Sequence, residues 1–165
     1  MNKKVTLVTG LWDIKRDTLE PGWNRSFKDH YVEKFKDLLN VPCNLIIFGE
    51  EELKEVVFEI RSEENTQFIV RNQDWFKNEF YEKIQSIRTS EQWRGRAPWL
   101  PESTQGKLEM YNPLVMSKMF LLNDARIFDK FQSEHLYWID AALSTTVSMG
   151  YFTSDNVLDK LYEKV

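Results

Sequence analysis

Short apolar runs that alternate with helical stripes constrain this chain most strongly. Residues 5–8, 44–48 and 67–70 are compact apolar runs that end in turn or polar residues, as buried strands do. Each run precedes a segment whose apolar residues recur every three or four positions, which indicates an amphipathic helix. Because repeated strand–helix units build a parallel sheet covered by helices, we predict an α/β fold with a mostly parallel, Rossmann-like sheet.

The second half of the chain departs from this rhythm. Residues 89–110 show no period, which predicts an ordered surface excursion. Asn112 and Pro113 are typical of a helix start, with asparagine as N-cap and proline at the first helical position. Apart from Ser117 and Lys118 the helix that follows, to residue 122, is apolar all round, so we predict that it is largely buried.

A last strand is predicted over residues 136–143, the most hydrophobic run of the chain, and a loop with a short helix over residues 150–161. A length of 165 residues fits a single domain spanning residues 1–165.

Charge and cysteine content exclude several functional classes. With 22 Lys and Arg against 26 Asp and Glu, the net charge is −4, which disfavours a general nucleic-acid binder. Cys43 cannot form an internal disulfide, and with His30 and His135 it cannot complete a zinc cage. The chain shows neither a secretory signal core nor an apolar run long enough to cross a bilayer, so we expect a cytoplasmic protein without a transmembrane segment.

The loop after the first strand carries a set of residue types that suits a nucleotide. Ligands of open α/β sheets bind at the carboxyl ends of the strands, and here a small residue, an aromatic and paired charges follow. These candidates are Thr9, Gly10, Leu11, Trp12, Asp13 and Arg16. Neither a Gly-x-Gly-x-x-Gly nor a phosphate-binding Gly-Lys-Ser/Thr motif is present, so dinucleotide and P-loop enzymes lose their main support. The alternative for Gly10 and Trp12 is a turn glycine and a core aromatic.

Two charged residues in apolar segments form a second candidate group. Asp140 lies inside the predicted last strand, where burial is costly unless the carboxylate is hydrogen-bonded, paired or bound to metal. Lys118 is the ammonium of an otherwise apolar helix. The alternatives are backbone N–H groups that satisfy Asp140 at the strand end, and a lysine that extends to solvent. Together the two would suit a diphosphate, with the lysine on the phosphates and the aspartate on a divalent cation.

These segments resemble a known family. Residues 111–120, followed by Tyr-Trp-Ile-Asp-Ala-Ala at 137–142, resemble the HtrL/YibB (WlaTC) family of bacterial proteins predicted to be glycosyltransferases of GT-A fold. Residues 8–16, Arg61 and residues 65–66 fit the same pattern, so the resemblance covers nearly the whole chain. More distantly, a lysine helix before an aspartate strand is similar to glycogenin-like transferases, whose Asp-x-Asp motif binds Mn²⁺.

The resemblance implies a small GT-A-like enzyme that transfers a sugar from a nucleotide-sugar, a UDP-sugar by preference, to a hydroxyl of a glycan or another acceptor. Lys118 would contact the diphosphate and Asp140 would bind Mn²⁺ or Mg²⁺. The loop after the first strand would hold base and ribose. Arg16, Arg61 and Arg71 are candidates for phosphate or carboxylate contacts, with surface ion pairs as the alternative.

Two departures from the pattern keep other functions open. Ala142 stands where an Asp-x-Asp motif would have its second carboxylate, and only about twenty residues follow the aspartate strand to form an acceptor site. The alternative function is a non-catalytic nucleotide-sugar-binding or protein-interaction domain of the same fold. A third is a structural domain that docks a partner through Trp93 and Trp99. No catalytic base is nominated.

Overall fold

Four parallel strands form the centre of the molecule in the computed structural model, which describes residues 5–153 and 157–164. The strands are β1 (Val5–Leu11), β2 (Asn44–Gly49), β3 (Thr66–Val70) and β4 (His135–Trp138), in the spatial order β3-β2-β1-β4. All three strand pairs are parallel, with Leu7 opposite Leu45 on one side and Tyr137 on the other. The predicted α/β fold with a parallel, Rossmann-like sheet is confirmed.

Helices connect and cover the strands. A π-helical turn (Phe27–Val32) continues into α1 (Glu33–Leu39) between β1 and β2, and α2 (Leu53–Phe58) joins β2 to β3. Between β3 and β4 lie α3 (Tyr81–Thr89), α4 (Glu91–Arg94), α5 (Thr104–Lys107), α6 (Tyr111–Met116) and α7 (Lys118–Phe128). After β4 come α8 (Gly150–Thr153) and α9 (Val157–Glu163), while residues 154–156 of the predicted C-terminal loop lie outside the described part.

The alternation of side chains along the central strands builds two hydrophobic cores. Leu7 and Leu45 face α1 and α2, while Val8 and Ile46 face α7 on the opposite side of the sheet. Both faces are covered because parallel strands are joined by helical crossovers, so these strands are apolar on both sides. The two layers of helices therefore lie on opposite faces of one buried sheet.

Residues 112–122 do not form the largely buried helix that their composition predicts. The N-cap of α6 is Met110 rather than Asn112, and the helix breaks at Ser117, whose hydroxyl donates to the Pro113 carbonyl. Met119 of α7 is 70% exposed, and large apolar neighbours on α6 and α7 are also exposed. Composition alone cannot reveal this, because a helix rich in apolar residues buries only the stripe that meets the sheet.

The last strand is shorter than predicted. β4 ends at Trp138, and the chain then turns, so that Asp140 follows the strand instead of lying within it. As an edge strand beside β1 alone, β4 is only partly buried, and the Asp140 side chain is 60% exposed. The irregular excursion over residues 89–110 holds only single helical turns, and Trp99 within it stacks on Trp23 with ring centroids 6.2 Å apart. None of the described helices is long and apolar enough to span a bilayer.

Candidate functional site

The strand order creates a crevice at the carboxyl edge of the sheet. From β1 the chain moves outward through β2 to β3, and then returns to place β4 on the other side of β1. Neighbouring loops therefore diverge between β1 and β4, and such switch points are where open α/β sheets bind ligands. A cavity of about 430 Å³ lies here, a volume in the range of small-molecule sites.

Four segments of the chain line this cavity. They are the end of β1 and its loop, the start of the helix before β2, the junction of α6 and α7, and the segment after β4. The side chains or backbone that line it are Gly10, Leu11, Trp12, Asp13, Ile14, Arg16, Arg25, Phe27, His30, Tyr31, Tyr111, Leu114, Val115, Lys118, Trp138, Asp140, Ala141, Ala142, Leu143, Thr145 and Thr146.

Of the eight residues predicted as ligand-binding, the structure brings all but Thr9 to the cavity wall. Thr9 is fully buried in β1, and its hydroxyl has no hydrogen-bond partner among the described residues. Sequence reasoning missed the wall formed by Arg25, His30 and Tyr31. The one signal for it is the capped helix start at Ser26, because a helix that follows β1 begins at the ligand-binding edge.

Trp12 and Gly10 form one packed unit. A Cβ atom at Gly10 would lie 2.4 Å from Cη2 of Trp12, so only glycine lets the indole fold back over β1. The indole is 4% exposed, meets Phe76 edge to face at 4.8 Å, and donates to the Arg71 carbonyl at 2.7 Å. Trp12 is thus a core aromatic that also borders the cavity, and Gly10 is a strand residue rather than a turn glycine.

Two of the three candidate arginines have other partners. The Arg61 guanidinium is buried and donates to the carbonyls of Leu39, Val41 and Cys43. It also donates to the Thr66 hydroxyl, so it ties the end of α1 and the loop before β2 to the start of β3, away from the cavity. Arg71 forms an ion pair with Asp124 at 3.2 Å. Of these three candidate arginines, Arg16 alone lines the cavity.

The loop after β1 is held by Asp13. Its carboxylate accepts the backbone N–H of Lys15 at 2.9 Å and also the Lys15 ammonium. The hydrogen bond to Asp13, followed by the charge of that carboxylate, raises the pKa of Lys15. Lys15 adopts the left-handed conformation with φ 62°, and Gln73 donates to the Asp13 carbonyl at 3.0 Å. The Asp13 carboxylate therefore stabilises the turn that brings Arg16 to the cavity.

Lys118 and Asp140, 22 positions apart in sequence, form an ion pair in the cavity wall. The Lys118 ammonium donates to Oδ1 of Asp140 at 2.6 Å, and the Trp138 indole donates to the same oxygen at 3.0 Å. Partial burial raises the pKa of the Asp140 carboxyl, but the hydrogen bonds from Lys118 and Trp138 and the Lys118 charge outweigh it, so that pKa lies below its ordinary value. The Lys118 side chain is 31% exposed, so both groups remain accessible from the cavity.

The opposite wall is basic. Arg16 donates through Nε to the Trp23 carbonyl at 2.9 Å and through its terminal nitrogen to the Tyr31 hydroxyl at 2.5 Å. Arg25 donates to the backbone carbonyls of residues 22 and 24. His30 lies beside these arginines and meets the Tyr31 ring edge to face at 5.1 Å. We call Arg16, Arg25 and His30 the basic wall.

The donor set around Asp140 fits one kind of divalent cation. Ala142 supplies no second carboxylate, and across residues 5–153 and 157–164 no three His, Cys, Asp or Glu side chains converge as a metal cage would require. Mg²⁺ at nucleotide sites is bound by one or two carboxylates together with substrate phosphates and water. Asp140 therefore fits a cation that arrives with a diphosphate, and does not fit one held by protein ligands alone.

One comparison with known proteins gives a match. A family model described as "Bacterial protein of unknown function (HtrL_YibB)" matches residues 3–160. No curated protein and no solved structure matches the chain.

Proposed function

We propose that this chain, which belongs to the HtrL_YibB family of bacterial proteins, is a small glycosyltransferase with a GT-A-like fold. It would bind a UDP-sugar in the cavity between β1 and β4 and transfer the sugar to a hydroxyl of a glycan or another acceptor. The observation that carries the proposal is the Lys118–Asp140 pair in the wall of a cavity at the switch point of a parallel sheet.

The pair offers a diphosphate both of the interactions that it needs. Lys118 and Asp140 neutralise each other at 2.6 Å. A diphosphate would compete for the Lys118 ammonium, and Asp140 would then be available to hold a divalent cation together with the phosphates. The Trp138 indole would keep Asp140 in place during this exchange, because it donates to Oδ1. Oδ2 has no partner among the described side chains.

The proposed reaction replaces one bond to the anomeric carbon by another. The bond from that carbon to the phosphate oxygen breaks with its electron pair on the phosphate, and a bond to the acceptor oxygen forms. The nucleoside diphosphate leaves, and the proton of the acceptor hydroxyl is released to the solvent. Lys118 stabilises the negative charge that develops on the leaving diphosphate. A bound divalent cation supplies Lewis-acid stabilisation of the same charge. The apolar wall residues Leu11, Leu114 and Leu143 limit the access of water.

Calorimetric titration of the full chain with UDP, with and without Mn²⁺, tests the proposal. We expect UDP to bind more tightly when Mn²⁺ is present, and Mn²⁺ alone to bind weakly. Lys118→Met removes a charge-assisted hydrogen bond worth about 1.5–3 kcal/mol, which corresponds to a loss of about tenfold or more in UDP affinity. Asp140→Asn should abolish the gain from Mn²⁺ and leave metal-free UDP binding in place.

The matched control is Asp74→Asn, which removes a carboxylate from an exposed ion pair with Lys77. It should bind UDP as the unaltered chain does. Absence of UDP binding under all conditions would refute the proposal. Metal-dependent UDP binding, with neither hydrolysis nor transfer of the sugar from any UDP-sugar tested, would instead support the non-catalytic domain.

A further inference from the structure

The helical segment that carries His30 and the helix that begins at Lys118 pack on opposite faces of the sheet. Tyr31 packs against the core that α1 shares with the sheet, whereas Leu121 and Ala125 of α7, the helix that begins at Lys118, belong to the core on the opposite face. Because both walls border one cavity at the carboxyl edge, a single ligand or a pair of substrates can contact both. The basic wall and Lys118 are therefore separate charged regions of one site.

The arginines of the basic wall lack the acidic partners that other cavity charges have. Among the charged residues that line the cavity, Lys118 is paired with Asp140, and Asp13 is paired with Lys15, which lies outside the lining. Within the described part of the chain, Arg16 and Arg25 form no ion pair with a carboxylate, and they donate to backbone carbonyls and to the Tyr31 phenol. The basic wall therefore carries the uncompensated positive charge of the cavity.

Arg16 is also held in place before any ligand arrives. Two of its five N–H groups are used, one on the Trp23 carbonyl and one on the Tyr31 hydroxyl, and its guanidinium carbon lies 5.9 Å from the centre of the Tyr31 ring. A guanidinium fixed in this way keeps donors for an oxyanion, which arginine binds through paired hydrogen bonds. Little side-chain entropy would be lost on binding.

His30 lines the cavity beside these arginines, and their charges act on it. Burial, followed by the positive charges of Arg25, Arg16 and Lys34, lowers the pKa of His30. A nearby anion would offset those charges and raise that pKa.

We infer that the basic wall binds a second oxyanion of the substrates, distinct from the donor diphosphate. This oxyanion is either the carboxylate of an acidic donor sugar or the phosphate of a phosphorylated sugar acceptor. The inference rests on the proposed function, because it assigns the diphosphate to Lys118 on the opposite wall. The donor and acceptor together would therefore carry one anionic group in addition to the diphosphate, unlike a UDP-sugar with a neutral sugar paired with a neutral glycan.

Calorimetry with matched probes tests the inference on the full chain. UDP-glucuronate is compared with UDP-glucose as donor, and glucose 6-phosphate with glucose as ligand of the UDP-loaded chain. We expect one acidic probe to bind at least about tenfold more tightly than its neutral counterpart, as a charge-assisted hydrogen bond provides. Arg25→Gln should remove this preference, whereas Arg126→Gln, an exposed arginine of α7 away from the cavity, should keep it.

Two results would overturn the inference while the proposed function survives. One is the absence of preference for either acidic probe. The other is an equal loss of UDP, UDP-glucose and UDP-glucuronate affinity in Arg25→Gln, which would place the diphosphate on the basic wall.

If UDP itself fails to bind, the proposed function is refuted but the wall can still be tested. Free glucuronate or glucose 6-phosphate should then raise the pKa of His30, as measured by NMR with His135 as the internal reference. The same anions should not raise that pKa in Arg25→Gln. A pKa of His30 that neither anion changes would overturn the inference.

Discussion

Replacement of Arg61 by methionine should destabilise the fold more than any exposed substitution. The guanidinium is buried without a carboxylate and donates to the carbonyls of Leu39, Val41 and Cys43, to Asn65 and to the Thr66 hydroxyl. Methionine fills a similar volume and removes every donor.

The size of the destabilisation depends on how many of these five acceptors keep another hydrogen bond when the guanidinium is removed. The Val41 and Asn65 carbonyls also accept the backbone N–H groups of Cys43 and Leu45. The Thr66 hydroxyl keeps its hydrogen bond to the Asn65 side chain, so the Leu39 and Cys43 carbonyls are the two acceptors that lose most. A hydrogen bond to a charged group contributes about 1.5–3 kcal/mol, and two uncompensated losses give roughly 3–6 kcal/mol. For a chain of this size, 3 kcal/mol lowers Tm by about 6–12 °C.

Urea and thermal unfolding followed by circular dichroism measure this change. The matched control, Arg126→Met, alters an exposed arginine and should stay within about 0.5 kcal/mol of the unaltered chain. An Arg61→Met stability within the same margin would refute the claim that the guanidinium ties the end of α1 and the loop before β2 to the start of β3.

Three further predictions concern the cores and the ion pair. Gly10→Ala should cost about 1–3 kcal/mol in urea unfolding, because its Cβ would overlap the Trp12 indole; unchanged stability and indole fluorescence would contradict this packing. Burial raises the pKa of the Cys43 thiol to about 11, so a disulfide reagent at pH 8 should react with one thiol per chain in urea and with none in the native protein. Folding lowers the pKa of Asp140, so its ion pair with Lys118 stabilises the fold at neutral pH, and this stabilisation is lost as the pH falls through the folded pKa. The free energy of unfolding of Lys118→Met in urea should therefore differ most from that of the unaltered chain at neutral pH. The two values should converge in acid.

The sheet was predictable from sequence mainly because its two central strands, β1 and β2, are buried on both faces. The apolar runs at 44–48 and 67–70 need no tertiary information to be recognised, and the strand–helix alternation requires parallel pairing. The N-cap at Ser26 is an equally local feature, since its hydroxyl accepts the N–H of Asp29 three residues later. The rule that ligands bind at the carboxyl ends of the strands singled out the loop after β1, and this loop lines the cavity.

Other features depend on contacts that sequence patterns do not contain. The exposure of Met119 follows from which stripe of α7 meets the sheet, and the early end of β4 follows from its position at the edge. The partners of Arg61 come from segments up to 22 residues away. Arg25 carries no motif, and only the fold shows that its segment borders the cavity opposite α7.

A crystal structure of the full chain with UDP and Mn²⁺ would test the central claim most directly. We expect UDP in the cavity between β1 and β4, with its diphosphate within hydrogen-bond distance of the Lys118 ammonium. The Mn²⁺ ion should be bound by phosphate oxygens and Asp140. A nucleotide bound elsewhere, or a diphosphate in the cavity while Lys118 and Asp140 keep their 2.6 Å contact, would contradict it.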